Sequence, residues 1–406
     1  MKMKTIVFLR QNPYPRLYNH AFALKKSKYR TILVCRHFDE KITGILRDVF
    51  DEIFCYQPPI LYLKRYGFAQ KSDDLPLIHN FKVLMTDNVL GPIFEKISYR
   101  IKFLNILKSI NADAYNCCST DEFTEVALKD FNKPVIMDLH NGSIMRGIEN
   151  LTREHYTRDK YCFEHVNGII HRGPDSEMNY YIKHGYNIKC PLLNYLDYCN
   201  RNFFIKNNPK KLSSEDGEYH LVNIGSGMQS PYIPPMLKRL FKQKIHMHIY
   251  LVPYSTVWNV YKTYHKMAKT EKYFHLHSAV PFNQVQQEIS KYDFGAIIRP
   301  PEFMDNIKPE ALKISVRSYR QYNFFEAGLP IIISDRLEYF SKIIQENNIG
   351  FSISNNEIDN LFKIIKKYDY EELRKNVIKF REKFLIDSHI KRLGDFYKSI
   401  IEKKIN

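Results

Sequence analysis

The sequence predicts an α/β protein built from two doubly wound domains in tandem, facing each other across a cleft and followed by a C-terminal helix. Three observations predict it. Short apolar runs bounded by polar turns recur along the chain and alternate with stretches of helical period. The alternation stops once, over residues 200–218, which are polar and turn-rich, and then restarts. The chain has 406 residues, too many for one ordinary core and comfortable for two.

In order, residues 5–9 read as the first buried strand and 29–35 as the second, with a crossover helix ending in Ala21-Phe22-Ala23-Leu24 between them. Residues 51–55, 111–117, 134–138 and 168–171 continue the first sheet. Helices are predicted over 121–129, where Asp121 suits the cap position, and over 175–183. After the break, strands are predicted at 220–224, 246–251, 273–276, 294–298 and 330–333, and helices at 234–243, 282–290, 319–327, 338–347 and 357–367. Leu373, Val377, Phe380 and Phe384 recur at the spacing of one helical stripe. Short apolar strands alternating with helices mean parallel sheets covered on both faces. The expected division is 1–199, a linker at 200–218, a second domain at 219–385, and a terminal helix at 386–406 packing back on the first domain.

Composition narrows the class. Hydrophobic residues are 44% and charged residues 26% of the chain, which is ordinary for a globular protein. No apolar stretch reaches eighteen residues, so no transmembrane helix is expected. The first apolar run stops at Leu9, before Arg10, too short for the core of a signal peptide. The seven cysteines are odd in number and form no CxxC pair, which argues for reduced thiols in the cytoplasm and against a disulfide framework or a zinc site. The net charge of +17 attracts phosphate groups of any origin. No nucleic-acid-binding signature accompanies it, so nucleic acid ranks last among partners. Residues 56–70 interleave aromatics with Lys64 and Arg65, as an interfacial segment on anionic lipid does, although such stripes also serve as ordinary core.

Open α/β sheets bind ligands beyond the C-terminal ends of their strands, so the loops there hold the candidates. Arg10 and Asn12 follow the first strand and Arg172 follows the strand ending at His171. Asp138 and His140 share a strand face, and Asn141 follows them. In the second domain Gly225-Ser226-Gly227 follows the first strand, in the manner of a phosphate-binding turn or a plain tight turn. Arg299, Lys308, Lys313 and Arg317 crowd the polar loop before the helix that starts near Arg320. Each has an ordinary reading too: Asp138 as a turn residue, His140 as a sheet-edge histidine, Arg320 as a surface cation, Glu326 as an exposed helix residue.

Two stretches carry a resemblance. His277 to Ile298 includes Val280-Pro281, Asp293 and Gly295, and Ser318 to Ser334 includes Phe325-Glu326-Ala327-Gly328-Leu329-Pro330. Together they resemble the C-terminal half of GT-B glycosyltransferases, the GT4-like group above all. Lys133 to Gly142 resembles the strand and loop that face the sugar there. The resemblance implies two Rossmann-like domains, the first binding the acceptor and the second a nucleotide-sugar. It implies donor contacts by Gly225, Ser226, Gly227, Arg299, Asn323 and Glu326, acceptor contacts by Arg10, Asn12, Asn141 and Arg172, and chemistry by His140, Asp138 and Arg320. It also implies transfer without a bound metal or cofactor, with retention, onto a glycan or lipid-linked acceptor in bacterial-type surface polysaccharide or glycoconjugate synthesis, at the cytoplasmic face of a membrane. Asn323 and Ser315 stand where many relatives carry glutamate, which leaves a non-catalytic sugar-nucleotide or partner-binding protein as the alternative.

Overall fold

The structure, a computed structural model, describes residues 3–56, 90–139, 151–206, 209–225, 230–251, 258–304 and 320–403. His140, Asn141, Ser226, Gly227, Lys308, Lys313, Ser315 and Arg317 lie outside these, as does nearly all of the 56–70 segment.

Two parallel sheets form the molecule. The first comprises β1 (Thr5–Arg10), β2 (Arg30–Cys35), β3 (Glu52–Cys55), β4 (Ala114–Cys118), β5 (Val135–Asp138), β6 (Gly168–His171) and β7 (Leu192–Asn194), in the order β3-β2-β1-β4-β5-β6-β7. The second comprises β8 (His220–Ile224), β9 (His246–Leu251), β10 (Phe274–Ser278), β11 (Phe294–Ile297), β12 (Ile331–Ser334) and β13 (Gly350–Ile353), in the order β10-β9-β8-β11-β12-β13. In both, the chain steps outward from the first strand and then returns to its other side. That reversal opens a crevice between β1 and β4, and another between β8 and β11, at the strands' C-terminal ends.

Most strand residues are apolar because both faces are covered. Along β1, Ile6 and Phe8 join one core while Val7 and Leu9 join another. Leu221 and Val222 divide in the same way on β8. Two edge strands, β7 and β13, carry too few apolar residues to register in the sequence. The Arg153–His165 helix was hidden for a related reason: only Asp159, Cys162 and Phe163 are buried on it, so it has hardly any apolar stripe. It starts at Thr152, whose hydroxyl accepts the His155 N–H at 3.2 Å. Asp121 caps the Glu122–Asp130 helix, accepting from the N–H groups of Phe123 and Thr124.

The chain passes between the domains twice, and the two passages pair. Cys199 N–H donates to Phe384 O at 2.8 Å and Ile386 N–H to Cys199 O at 2.9 Å. Beyond them the Ile390–Lys403 helix lies on the Arg16–Lys26 helix, with Leu393, Tyr397 and Ile400 in the first domain's core. The Tyr397 hydroxyl accepts from Asn116 Nδ2 at 2.5 Å. In the second domain Gly295 lets the Arg320–Glu326 helix close on β11, since a Cβ there would meet the Phe324 ring at 2.4 Å.

Candidate functional site

The crevice of the first sheet is floored by a buried ion network. Arg16 donates to Asp138 Oδ1 at 3.1 Å and to Asp197 Oδ1. Arg10 donates to Asp138 Oδ2 at 3.3 Å and to the Leu9 and Asn116 carbonyls, each at 2.8 Å. Arg172 donates to Asp197 Oδ2 at 2.9 Å. Asp138, Arg16 and Asn116 are wholly buried, and Arg10, Asp197 and Arg172 nearly so. The arginines hold the Asp138 carboxyl far below the usual carboxylate range, against the opposing effect of burial. Burial and the adjacent Arg16 push His20 down to about 3, so its ring is neutral.

Asp138, Arg10 and Arg172 are turned into the protein, Arg10 bonded to Asp138 and Arg172 to Asp197, and they set the shape of the crevice floor. The partners that hold them there, Arg16 on the first helix and Asp197 at the domain passage, are remote in sequence. On that helix Arg16, Asn19 and His20 are the buried polar residues that the sequence offers. Asn12 is half-buried just past β1.

The second crevice also carries arginines. Arg299 follows β11, its backbone N–H donating to Ser334 Oγ at 2.7 Å at the end of β12. Arg320 opens the next helix. Burial lowers Arg299 to about 10. Burial and then Arg299 itself lower Arg320 to about 9. Arg320 Nη1 is shut from water and has no hydrogen-bond partner among the described residues. Arg299 and Arg320 thus lie close together, two cations on the C-terminal side of this sheet.

Gly225 ends β8 at φ +77°, a conformation that glycine adopts without strain. Its own N–H is used by Tyr250 O at 2.9 Å, so it is not offered to a phosphate. The helix that follows, Ile233–Phe241, begins with Pro234 and Pro235, which lack N–H groups. Among the described residues, the positive charge beside this crevice is that of the Arg299 and Arg320 side chains.

Asn323 and Glu326 lie deeper than expected. Gln286 Nε2 donates to Asn323 Oδ1 at 3.0 Å and to Glu326 Oε2 at 2.6 Å. The Asn200 N–H donates to Glu326 Oε1 at 2.8 Å. Glu326 has no exposed surface. Both its carboxyl oxygens are engaged, so it fastens the domain passage to this helix. Burial raises Glu326 to about 8. A carboxyl raised above its ordinary value of about 4.3 gives stability that is full below that value and is lost as pH rises through 8. Glu326→Gln is therefore expected to flatten the fall in urea midpoint between pH 5 and pH 8 relative to wild type. An unchanged slope would show that Glu326 does not titrate there.

No helix among the described residues is long and apolar enough to cross a membrane. A pocket of about 430 Å³ beside Lys129, Lys133 and His165 precedes β5 and β6, at the end of the first sheet opposite the crevice.

Comparison with known proteins agrees with this geometry. Residues 242–395 match the family model "Glucosyltransferase 3-like, C-terminal domain". No curated protein matches the sequence. The structure is similar to that of HepE from Anabaena in complex with UDP-glucose, with a TM-score of 0.63 and 10% identity over 97% of this chain and 99% of that one. It is similar to sucrose-phosphate synthase from Thermosynechococcus elongatus, with a TM-score of 0.65 and 10% identity over 98% and 100%. It is also similar to the Methanocaldococcus jannaschii UDP-GlcNAc 2-epimerase in complex with UDP-GlcNAc and UDP, with a TM-score of 0.50 and 9% identity over 91% and 94%. Two parallel Rossmann-like sheets, paired passages, a returning terminal helix and these full-length likenesses establish that the chain has the two-domain GT-B fold.

Proposed function

We propose that this protein is a glycosyltransferase that takes a sugar from a nucleoside diphosphate donor, UDP-linked in the first instance, and passes it to an acceptor in the crevice of the first domain. The observation that carries the reading is the Arg299–Arg320 pair at the strand-order reversal of the second sheet. As the bond from the sugar's anomeric carbon to the diphosphate oxygen breaks, negative charge grows on the leaving phosphate. Guanidinium groups held beside that phosphate stabilise the charge as it grows. The acceptor hydroxyl forms the new bond to the anomeric carbon and gives up its proton. The UDP-sugar of the HepE complex and the family model over the second domain support the donor class.

The finer points rest on the GT4 resemblance and are proposed with it: retention at the anomeric carbon, no catalytic metal, a glycan or lipid-linked acceptor in surface glycoconjugate synthesis, and peripheral contact with anionic lipid on the cytoplasmic side. A second reading, binding without transfer, is favoured by one observation: Asn323, in the place of the relatives' glutamate, is engaged by Gln286. A thermal-shift panel of UDP, GDP, CMP and TDP tests the donor class. A nucleotide at about 100 times its Kd raises stability by about 2.7 kcal/mol. The reading predicts that UDP shifts the melt most; no shift with any of the four would end it. Incubation with UDP-glucose and an acceptor then separates transfer from binding alone.

A further inference from the structure

Five histidines cross one face of β8, β9 and β10 as a hydrogen-bonded ladder. His220 pairs with His246 in register, and His248 with His275. The rings stack in those pairs, each at 4.2 Å between centroids. Every bond of the ladder joins an Nδ1 to the Nε2 of a neighbouring strand's ring. His220 Nδ1 meets His248 Nε2 at 2.9 Å, His248 Nδ1 meets His277 Nε2 at 3.0 Å, and His246 Nδ1 meets His275 Nε2 at 2.8 Å. This one sense leaves the Nε2 atoms of His220 and His246 at the end of the ladder, and both face carboxylates. His220 Nε2 lies 3.1 Å from Asp216 Oδ2; His246 Nε2 lies 3.5 Å from the same oxygen and 2.7 Å from Glu218 Oε2. The ligand atoms of Asp216, His220 and His246 all lie within 4.8 Å of one another.

We propose that Asp216, Glu218, His220 and His246 form a binding site for a divalent transition-metal ion, zinc above others. Zinc holds imidazole nitrogen at about 2.0 Å in a tetrahedron, whose ligands are then about 3.3 Å apart. The observed separations bracket that value. Two carboxylates balance the ion's charge. A histidine that binds metal through Nε2 keeps its proton on Nδ1 and donates it to an outer partner; His248 and His275 stand ready as those acceptors. The rim is open to an ion, since the Asp216 side chain is 41% exposed. The site lies at the N-terminal ends of β8 and β9, opposite Gly225 and Arg299. Its ion therefore ties the segment leading into β8 to the sheet and takes no part in the crevice. The four residues come from a short helix end, the turn after it and two strands, so no metal-ligand spacing marks them in the sequence.

Metal-free protein titrated with Zn²⁺ tests this. One tight equivalent is expected. Asp216→Asn, at an exposed position, should weaken it at least tenfold. His275→Gln, which does not touch the ion, should weaken it about 10–100-fold through the lost outer partner. Co²⁺ in the same site should give visible absorption of tetrahedral intensity, lost in Asp216→Asn. The absence of a stoichiometric site, or affinity and cobalt spectrum unchanged by both substitutions, would overturn the proposal. The nucleotide-induced thermal shift is expected to be the same in all three proteins, so this test stands apart from that of the crevice.

Discussion

Arg320→Ala is expected to lower sugar transfer by about 10²–10³-fold, the usual effect of removing one preorganised donor to developing charge. The fold should survive it, and the melting temperature should hold or rise. The reason is the same for both effects. Arg320 sits beside Arg299, its Nη1 without a hydrogen-bond partner among the described residues. In the free protein this cation lies near another, so its removal takes away a repulsion. In the reacting complex it meets the charge that leaves with the diphosphate, so its removal exposes that charge. A surface cation would give neither effect, and a purely structural arginine would lower stability. Arg320→Lys should fall between, because an ammonium keeps the charge but loses the planar two-point contact. Turnover and melting temperature measured on the same preparations check the claim.

Asp138→Ala is expected to cost about 3–5 kcal/mol of folding stability, as breaking one partner out of a buried ion pair does. Asp138 is enclosed, and it balances Arg16 and Arg10, both themselves buried. Without it two guanidinium groups keep only Asp197 and neutral acceptors. The same placement fixes the pH dependence. Because the folded carboxyl is held below its unfolded value of about 3.9, the stability it gives is present above that pH and is lost as pH falls below it. Urea midpoints of wild type and variant should therefore converge on acidification. Equal midpoints at pH 7 would mean that Asp138 is not part of this network.

The sequence revealed the architecture better than the site, for physical reasons. A strand buried on both faces of a parallel sheet is mostly apolar, so Ile6–Leu9 of β1 and Ile331–Ile333 of β12 stand out as continuous runs, inside the expected 5–9 and 330–333. Edge strands such as β7 are exempt from that demand, as is the polar Arg153–His165 helix, and both were invisible. At the site, position after a strand end picks out Arg10, Arg172 and Arg299 alike. What separates them is whether a carboxylate from elsewhere in the chain reaches them. Asp138 and Asp197 reach the first two. For Arg320 the influences are burial and another cation. Glu326 teaches the same point: its place in the Phe-Glu-Ala-Gly run is legible, but its bond to the Asn200 N–H comes from the distant domain passage.

Calorimetric titration of UDP into the wild type and into an Arg299→Ala/Arg320→Ala variant probes the central claim most directly. The account predicts saturable binding to the wild type and at least a tenfold loss, about 1.4 kcal/mol, in a variant that melts no lower. Equal affinity in the two proteins would contradict it.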